Sequence, residues 1–275
     1  MGEGKQCIKA VTFDLWETLL FEKDGASAQR TMARCKNLTN AFNKFGLDVS
    51  TEQVFSAMNE TVNSLLKVWD NNIDITHAEQ LNLIIKNTAG ESVKPKKEWI
   101  TELSEAYISP IFEVPPYLNP DAEKVLRWLS NRNSRIGLIC NTGLTPGTEL
   151  RRFLSRGGVA DYFDVLVFSD EAKIRKPDPE IFCLAARTLR VRPSEIVHIG
   201  DNLKSDVWGA KNAGFRAIHL AGAEGRDKKA ESDPTSLVSL SRNLGQLEKA
   251  QIAPDKTITS LAMLIQTIKE MEASG

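Results

Sequence analysis

Short apolar runs rich in β-branched and aromatic residues recur along this chain, each closed by a polar or glycine-bearing turn. Residues 8–13 read as a buried strand that ends at Asp14. From about residue 22 to 114 the pattern changes to helix alone. Leu38, Phe42 and Phe45 recur at helical spacing ahead of Gly46, a plausible stop; Val54, Met58, Val62, Leu65 and Trp69 hold the same period. Leu81, Ile84 and Ile85 mark a third helix, and Trp99, Ile100, Leu103 and Tyr107 a fourth. Four amphipathic segments with polar breaks predict a small bundle, bounded by hinges at Phe21–Gly25 and Val114–Pro116.

Beyond that point strands and helices alternate. Asn119 and Pro120 suit the N-cap and first turn of a helix through Trp128 and Leu129. Strands are predicted at 135–140, 164–168, 195–199 and 216–220, with helices at about 147–155, 179–189 and 205–212 between them. Such alternation argues an α/β fold with a doubly wound parallel sheet. After Ala221 comes a charged, Ser-rich stretch. An amphipathic segment at 237–247 follows, expected to pack on the core in preference to serving a dimer, and a last helix carries Ile258, Leu261, Ile265 and Ile268.

Composition adds limits to this picture. The 275 residues carry a net charge of −1, with 41% apolar and 26% charged residues, so neither nucleic acid nor an anionic membrane is expected as partner. No apolar stretch approaches the ~18 residues of a membrane span, and no signal-peptide core is present. Cys7, Cys35, Cys140 and Cys183 lack metal-ligand spacing and read as reduced thiols, which points to the cytoplasm.

Four polar signals stand after predicted strands. They are Asp14; Asn141-Thr142-Gly143 after Cys140; Arg175-Lys176-Pro177-Asp178-Pro179 after Phe168; and Gly200-Asp201 with Asp206 five residues on. Right-handed crossovers gather these on one edge of a parallel sheet, where open α/β folds place ligands. A buried carboxylate needs a cation, a metal or hydrogen bonds beside it. One such carboxylate, a small-residue loop, a lysine and an acidic pair make a phosphoryl-transfer site.

In that order the four signals resemble the haloacid dehalogenase (HAD) superfamily over residues 8–220, with the helical segment where a C1 cap lies. The resemblance implies a Rossmann-like core at 1–21 and 115–275 and a cap at 22–114. It implies that Asp14 is the nucleophile, forming an aspartyl-phosphate, that Thr18 ties down the loop after it, and that Lys176 neutralises the phosphoryl oxygens. Mg²⁺ is the implied cofactor, held by Asp14, Asp201 and the main-chain carbonyl of Trp16. Asp206 would support the site from behind through water or Lys176; it also suits a helix cap ahead of Val207 and Trp208. Asp178 and Pro179 read as N-cap and first helical residue, and His198 as a core residue of its strand.

Two positions depart from the family pattern. Trp16 stands where a second aspartate normally protonates the leaving group, a role worth ~10²–10⁴ in rate. Cys140 stands where Ser or Thr normally binds a phosphoryl oxygen, and a thiol is a poor donor. The phosphate would then fall to Asn141 and Thr142, through their N–H groups and side chains. Three readings stay open: a metal-dependent phosphohydrolase acting on a small phosphorylated metabolite; a metal-independent 2-haloacid dehalogenase, with Arg30 or Arg34 at the cap; and a non-catalytic binder of a phosphorylated ligand or protein.

Overall fold

The apolar runs pair side by side and in parallel in the computed structural model, which describes residues 7–222 and 253–274. Its strands are β1 (Ala10–Phe13), β2 (Leu20–Phe21), β3 (Tyr117–Leu118), β4 (Arg135–Cys140), β5 (Val165–Phe168), β6 (Ile196–Gly200), β7 (Arg216–Leu220) and β8 (Lys256–Ile258). Six of them form one sheet in the order β5-β4-β1-β6-β7-β8, every pair parallel. The register sets Phe13 beside Leu138 on one side and Ile199 on the other. Asp14, Asn141 and Asp201 therefore leave the sheet together.

Alternation along the strands sends side chains to two cores. Val11, Phe13, Leu138, Val197 and Ile199 join one cluster. Ala10, Ile139, Ile196 and Ala217 join the other. Both faces are buried, which is why these runs read as nearly continuous apolar sequence. The first face is covered by helices α6 (Ala122–Asn131), α7 (Gly147–Arg156) and the last helix of the chain, α11 (Leu264–Ala273). The second is covered by α9 (Pro179–Leu189), a π-helical turn (Leu203–Trp208) and α10 (Gly209–Asn212). A short helix, α8 (Ser169–Ala172), follows β5 directly.

Between β2 and β3 the chain is helical: α1 (Ala26–Lys44), α2 (Thr51–Trp69), α3 (His77–Ala89), α4 (Lys97–Ile108) and the single turn α5 (Pro110–Glu113). Ser50 with Gln53 and Thr76 with Glu79 form capping boxes that start α2 and α3, each satisfying orphan amides of the first turn. The helical stripes read from sequence close on a core of their own, built around Leu38, Phe42, Met58, Leu65, Ile84 and Tyr107. The antiparallel β2–β3 pair brings the two crossing points side by side. Arg30 then ties both crossings together, ion-paired to Glu22 of one and donating to the Val114 carbonyl of the other at 3.0 Å.

Three expectations need correction. The helix expected from Pro120 starts at Ala122, with Asp121 as its N-cap. Asn119 still caps the turn that leads into it: its side-chain oxygen accepts from the Asp121 N–H at 3.0 Å, while its amide donates to the Thr18 carbonyl at 3.0 Å. Ile258 belongs to β8, pairing with Leu220, and the final helix begins only at Leu264. The helix expected at 205–212 is a π-helical turn followed by one α-turn, capped by Asn202, whose side chain accepts from the Lys204 and Ser205 amides. The segment 237–247 lies outside the described residues.

Candidate active site

Asp14 is fixed by its backbone before its side chain acts. Its N–H donates to the Ile199 carbonyl at 2.8 Å, extending the β1–β6 ladder by one residue. The chain then turns sharply, with the amides of Leu19 and Leu20 both returning to the Leu15 carbonyl and Glu17 in the left-handed region at φ 60. The Thr18 hydroxyl reaches back to Asp14 Oδ2 at 3.4 Å, so Thr18 closes this loop as expected.

Lys176 arrives from the far side of β4. Its ammonium is buried and bridges two carboxylates, donating to Asp14 Oδ1 at 2.5 Å and Asp206 Oδ1 at 2.7 Å. Asn141 holds the lysine backbone from both sides: its amide donates to the Lys176 carbonyl and its oxygen accepts from the Lys176 N–H, each at 2.8 Å. Asp206 is fully committed. Its Oδ2 accepts from the Asn202 N–H at 2.9 Å, and His198 Nε2 stands 3.4 Å from its Oδ1. Gly200 makes this possible, since a Cβ there would sit 2.3 Å from the Asp206 carboxyl carbon.

The electrostatics follow from burial. Burial lifts Asp14 to about 7, with Asp206 and Asp201 adding repulsion and Lys176 pulling the other way. Burial also works against the Asp206 carboxylate, yet Lys176 and His198 hold it well below the usual carboxylate range. Lys176 is held charged against burial by the two carboxylates. His198, buried in β6 beside the Phe182 ring, is pushed toward the neutral form. Thr12 Oγ1 lies 3.0 Å from its Nδ1.

Carboxylate oxygens of Asp14, Asp201 and Asp206 all lie within 4.8 Å of one another. Three hard oxygen donors this close together suit a small hard cation, and the Asp14 carboxyl is raised by burial first and by repulsion from Asp206 and Asp201 after it. The residues therefore fit a small divalent metal ion, which carboxylates of this trio could hold. The engagement of both Asp206 oxygens favours a supporting place for that residue. Trp16 follows Asp14 by two residues; its ring is half-buried, with the Arg30 guanidinium 5.8 Å from its centroid.

The loop after β4 is arranged differently from the reading of its sequence. Thr142 spends its N–H on Ser169 Oγ at 2.8 Å, and its hydroxyl lies 3.2 Å from the same oxygen and 3.4 Å from Asp74 Oδ2. Cys140 is buried at the end of β4, its thiol pushed well up by burial. Arg34 donates to the Tyr107 carbonyl at 2.8 Å and lies over the Tyr107 ring. Sequence reasoning missed Ser169, although it directly follows a strand end as the other site residues do. It also missed Asp74, which carries no local signal, sitting in a polar break between two helices.

Over 231 residues the chain is 29% identical to a glyceraldehyde 3-phosphate phosphatase of Methanopyrus kandleri, covering 82% of this chain and 89% of that one. It is 26% identical to the Pyrococcus furiosus protein of the same name, over 98% and 99% of the two chains. Among solved structures, a 2-haloacid dehalogenase from Pseudomonas syringae superposes with a TM-score of 0.66 at 22% identity, covering 96% of this chain and 99% of that one. A HAD phosphatase from Thermococcus onnurineus gives 0.59 at 23% identity, over 94% and 97%. These two likenesses speak for the fold. A family model described as haloacid dehalogenase-like hydrolase matches residues 8–214. That span runs from the first strand of the sheet to the turn before β7 and includes Asp14, Asn141, Lys176, Asp201 and Asp206, so the chain belongs to the haloacid dehalogenase-like hydrolases.

Proposed function

We propose that this chain hydrolyses phosphate monoesters of small metabolites with the help of Mg²⁺, through an aspartyl-phosphate on Asp14. The observation that carries the reading is the Lys176 ammonium shared between Asp14 and Asp206, with Asp201 close enough to complete an acidic trio. Relatives named as phosphatases of glyceraldehyde 3-phosphate and of phosphoserine support the substrate class. The helices within 22–114 form the cap, and the thiols, all unpaired among the described residues, suit a reducing cytoplasm.

Asp14 is set to attack by its fixed backbone and by the bonds to both its oxygens. One carboxylate oxygen forms a bond to phosphorus as the ester P–O bond breaks, and the electron pair leaves with the ester oxygen. Lys176 carries the compensating charge throughout, held in place by Asp206 and by the Asn141 side chain. The Asn141 N–H, at the end of β4, is the amide we assign to a phosphoryl oxygen. A bound Mg²⁺ would offset the repulsion among the carboxylates and polarise the phosphoryl group. Water then attacks phosphorus, releasing phosphate and restoring the carboxylate. Indole has no exchangeable carboxyl proton, so the leaving oxygen at Trp16 must take its proton from water or depart without one. Aryl and acyl phosphates are the substrates that tolerate this.

The acidic trio disfavours a metal-independent dehalogenase. So do the two arginines weighed for it, since Arg30 is tied to both hinge crossings and Arg34 to Tyr107. A panel of aryl, acyl and alkyl phosphates, assayed with Mg²⁺ and with EDTA, tests the proposal. Turnover should need the metal and vanish in Asp14→Asn. Persistent turnover in that variant, or halide release from a 2-haloacid in EDTA, would overturn it.

A further inference from the structure

One carboxylate of the helical bundle, Asp74, bonds the outer side of both the loop after β4 and the segment that carries Lys176. Asp74 lies between α2 and α3 and is 1% exposed. Its Oδ2 accepts from Arg175 Nη1 at 2.6 Å and from Ser169 Oγ at 2.5 Å. Its Oδ1 accepts from Trp69 Nε1 at 2.8 Å and the Ile75 N–H at 2.9 Å. Arg175 Nη1 also donates to the Thr142 carbonyl at 2.6 Å, and its guanidinium lies over the Trp69 ring at 4.2 Å. The backbones join as well: Ile73 and Ile174 bridge antiparallel, the Arg175 N–H donates to the Asn72 carbonyl at 2.8 Å, and the Asp74 N–H to the Lys173 carbonyl at 3.3 Å.

A buried ion pair is a poor device for stability alone, because apolar residues of the same volume often serve as well; what it can supply is a fixed geometry. Here that geometry converges on the site. Arg175 is the residue before Lys176. Thr142, whose carbonyl it holds, follows Asn141, whose side chain brackets the Lys176 backbone. Ser169 passes the Asp74 contact on to the Thr142 N–H. We infer that Asp74 and Arg175 are positioning residues: the docked bundle holds the loop at 141–143 and the backbone of Lys176 in register, and thereby places the ammonium between Asp14 and Asp206. The effect on turnover rests on the phosphatase reading; the effect on the loop does not.

The test compares wild type, Asp74→Asn and the double variant Asp74→Asn/Arg175→Met. Asp74→Asn leaves the Arg175 cation buried without its partner, so its melting temperature should fall; adding Arg175→Met removes the stranded charge and should recover most of that loss. Stability and positioning are then separated in the double variant. Amide hydrogen exchange at Thr142 and Lys176 should be faster there than in wild type by about tenfold or more despite the recovered melting temperature. With an aryl phosphate, kcat should stay down by about 10–100-fold while KM moves by less than about threefold. Ser169→Ala, which carries no charge change, should also speed exchange at Thr142 and serves if the Asp74 variants fail to fold. Unchanged exchange at both amides overturns the inference. Faster exchange with wild-type kcat confines the pair to a structural role and overturns its part in catalysis. Faster exchange in the double variant, with a wild type that hydrolyses no phosphate ester, would overturn the phosphatase reading and leave the organising role standing.

Discussion

Asp14→Asn is expected to abolish activity and yet make the metal-free protein more stable. Burial, with repulsion from Asp206 and Asp201, raises the Asp14 carboxyl from 3.8 to about 7 even against the pull of Lys176. Between those values the folded protein holds a proton that the unfolded chain has released, so this group's contribution falls as pH rises through that window and is least favourable above 7. At pH 8, and at about 1.4 kcal/mol per tenfold change, the carboxylate costs the fold roughly 4 kcal/mol relative to its neutral form. An amide is nearly isosteric and uncharged. It gives up the ionic bond at 2.5 Å, but Lys176 keeps Asp206 at 2.7 Å and is not stranded. At ~2–4 °C per kcal/mol for a chain of this size, the variant in EDTA at pH 8 should melt about 5–15 °C above wild type. The gap should narrow at pH 5, where wild-type Asp14 is largely protonated. Millimolar Mg²⁺ should raise the wild-type melting temperature and move the variant much less; Asp201→Ala should also lose the metal response. A variant that melts at or below wild type in EDTA at pH 8 would refute the account of the site as an excess of buried negative charge.

Lys176→Met perturbs the same balance in the opposite sense, leaving Asp14 and Asp206 buried without a cation; urea denaturation should show a loss of about 3–5 kcal/mol, and a loss below about 1 would mean that the bridge is not formed. Trp16→Asp should raise alkyl phosphate turnover by up to ~10² if the indole merely replaces a general acid; a stable, metal-binding variant with no gain on alkyl esters argues that the ring's packing beneath Arg30 is what matters. Burial and the nearby Arg34 push His77 from 6.5 down to about 4, so the folded protein resists a proton that the unfolded chain accepts and stability falls as pH drops through that window. Between pH 7 and 5 wild type should lose about 2 kcal/mol more than His77→Gln, measured by urea denaturation at each pH; equal losses would remove His77 from the account.

The sequence alone was sufficient for five of the six strands of the parallel sheet, because these are buried on both faces and so appear as short apolar runs ending at chemically distinct residues. The run into Asp14, the run into Cys140 and Asn141, and the run into Gly200 and Asp201 each announced a strand end, and parallel pairing with right-handed crossovers leaves those ends no option but to meet. The helical stripes from Leu38 to Tyr107 were legible for the same reason, since their period is a local property of the chain. What pairs with what across the interior was not local. Asn119 has the sequence signature of a helix cap and its side-chain oxygen does accept from the Asp121 N–H, but nothing local announced that its amide would go to the Thr18 carbonyl, 101 residues away along the chain. Ile258 has the look of a helix stripe residue until Leu220 offers it a strand partner. Thr142 reads as an anion ligand, yet Ser169 and Asp74 claim its polar groups, and only the docking of the bundle on the sheet brings them there. Hydrophobic period is set within a few residues of chain, whereas a buried polar group is bound to whichever partner the finished fold carries to within 3 Å of it, and that choice belongs to the tertiary structure.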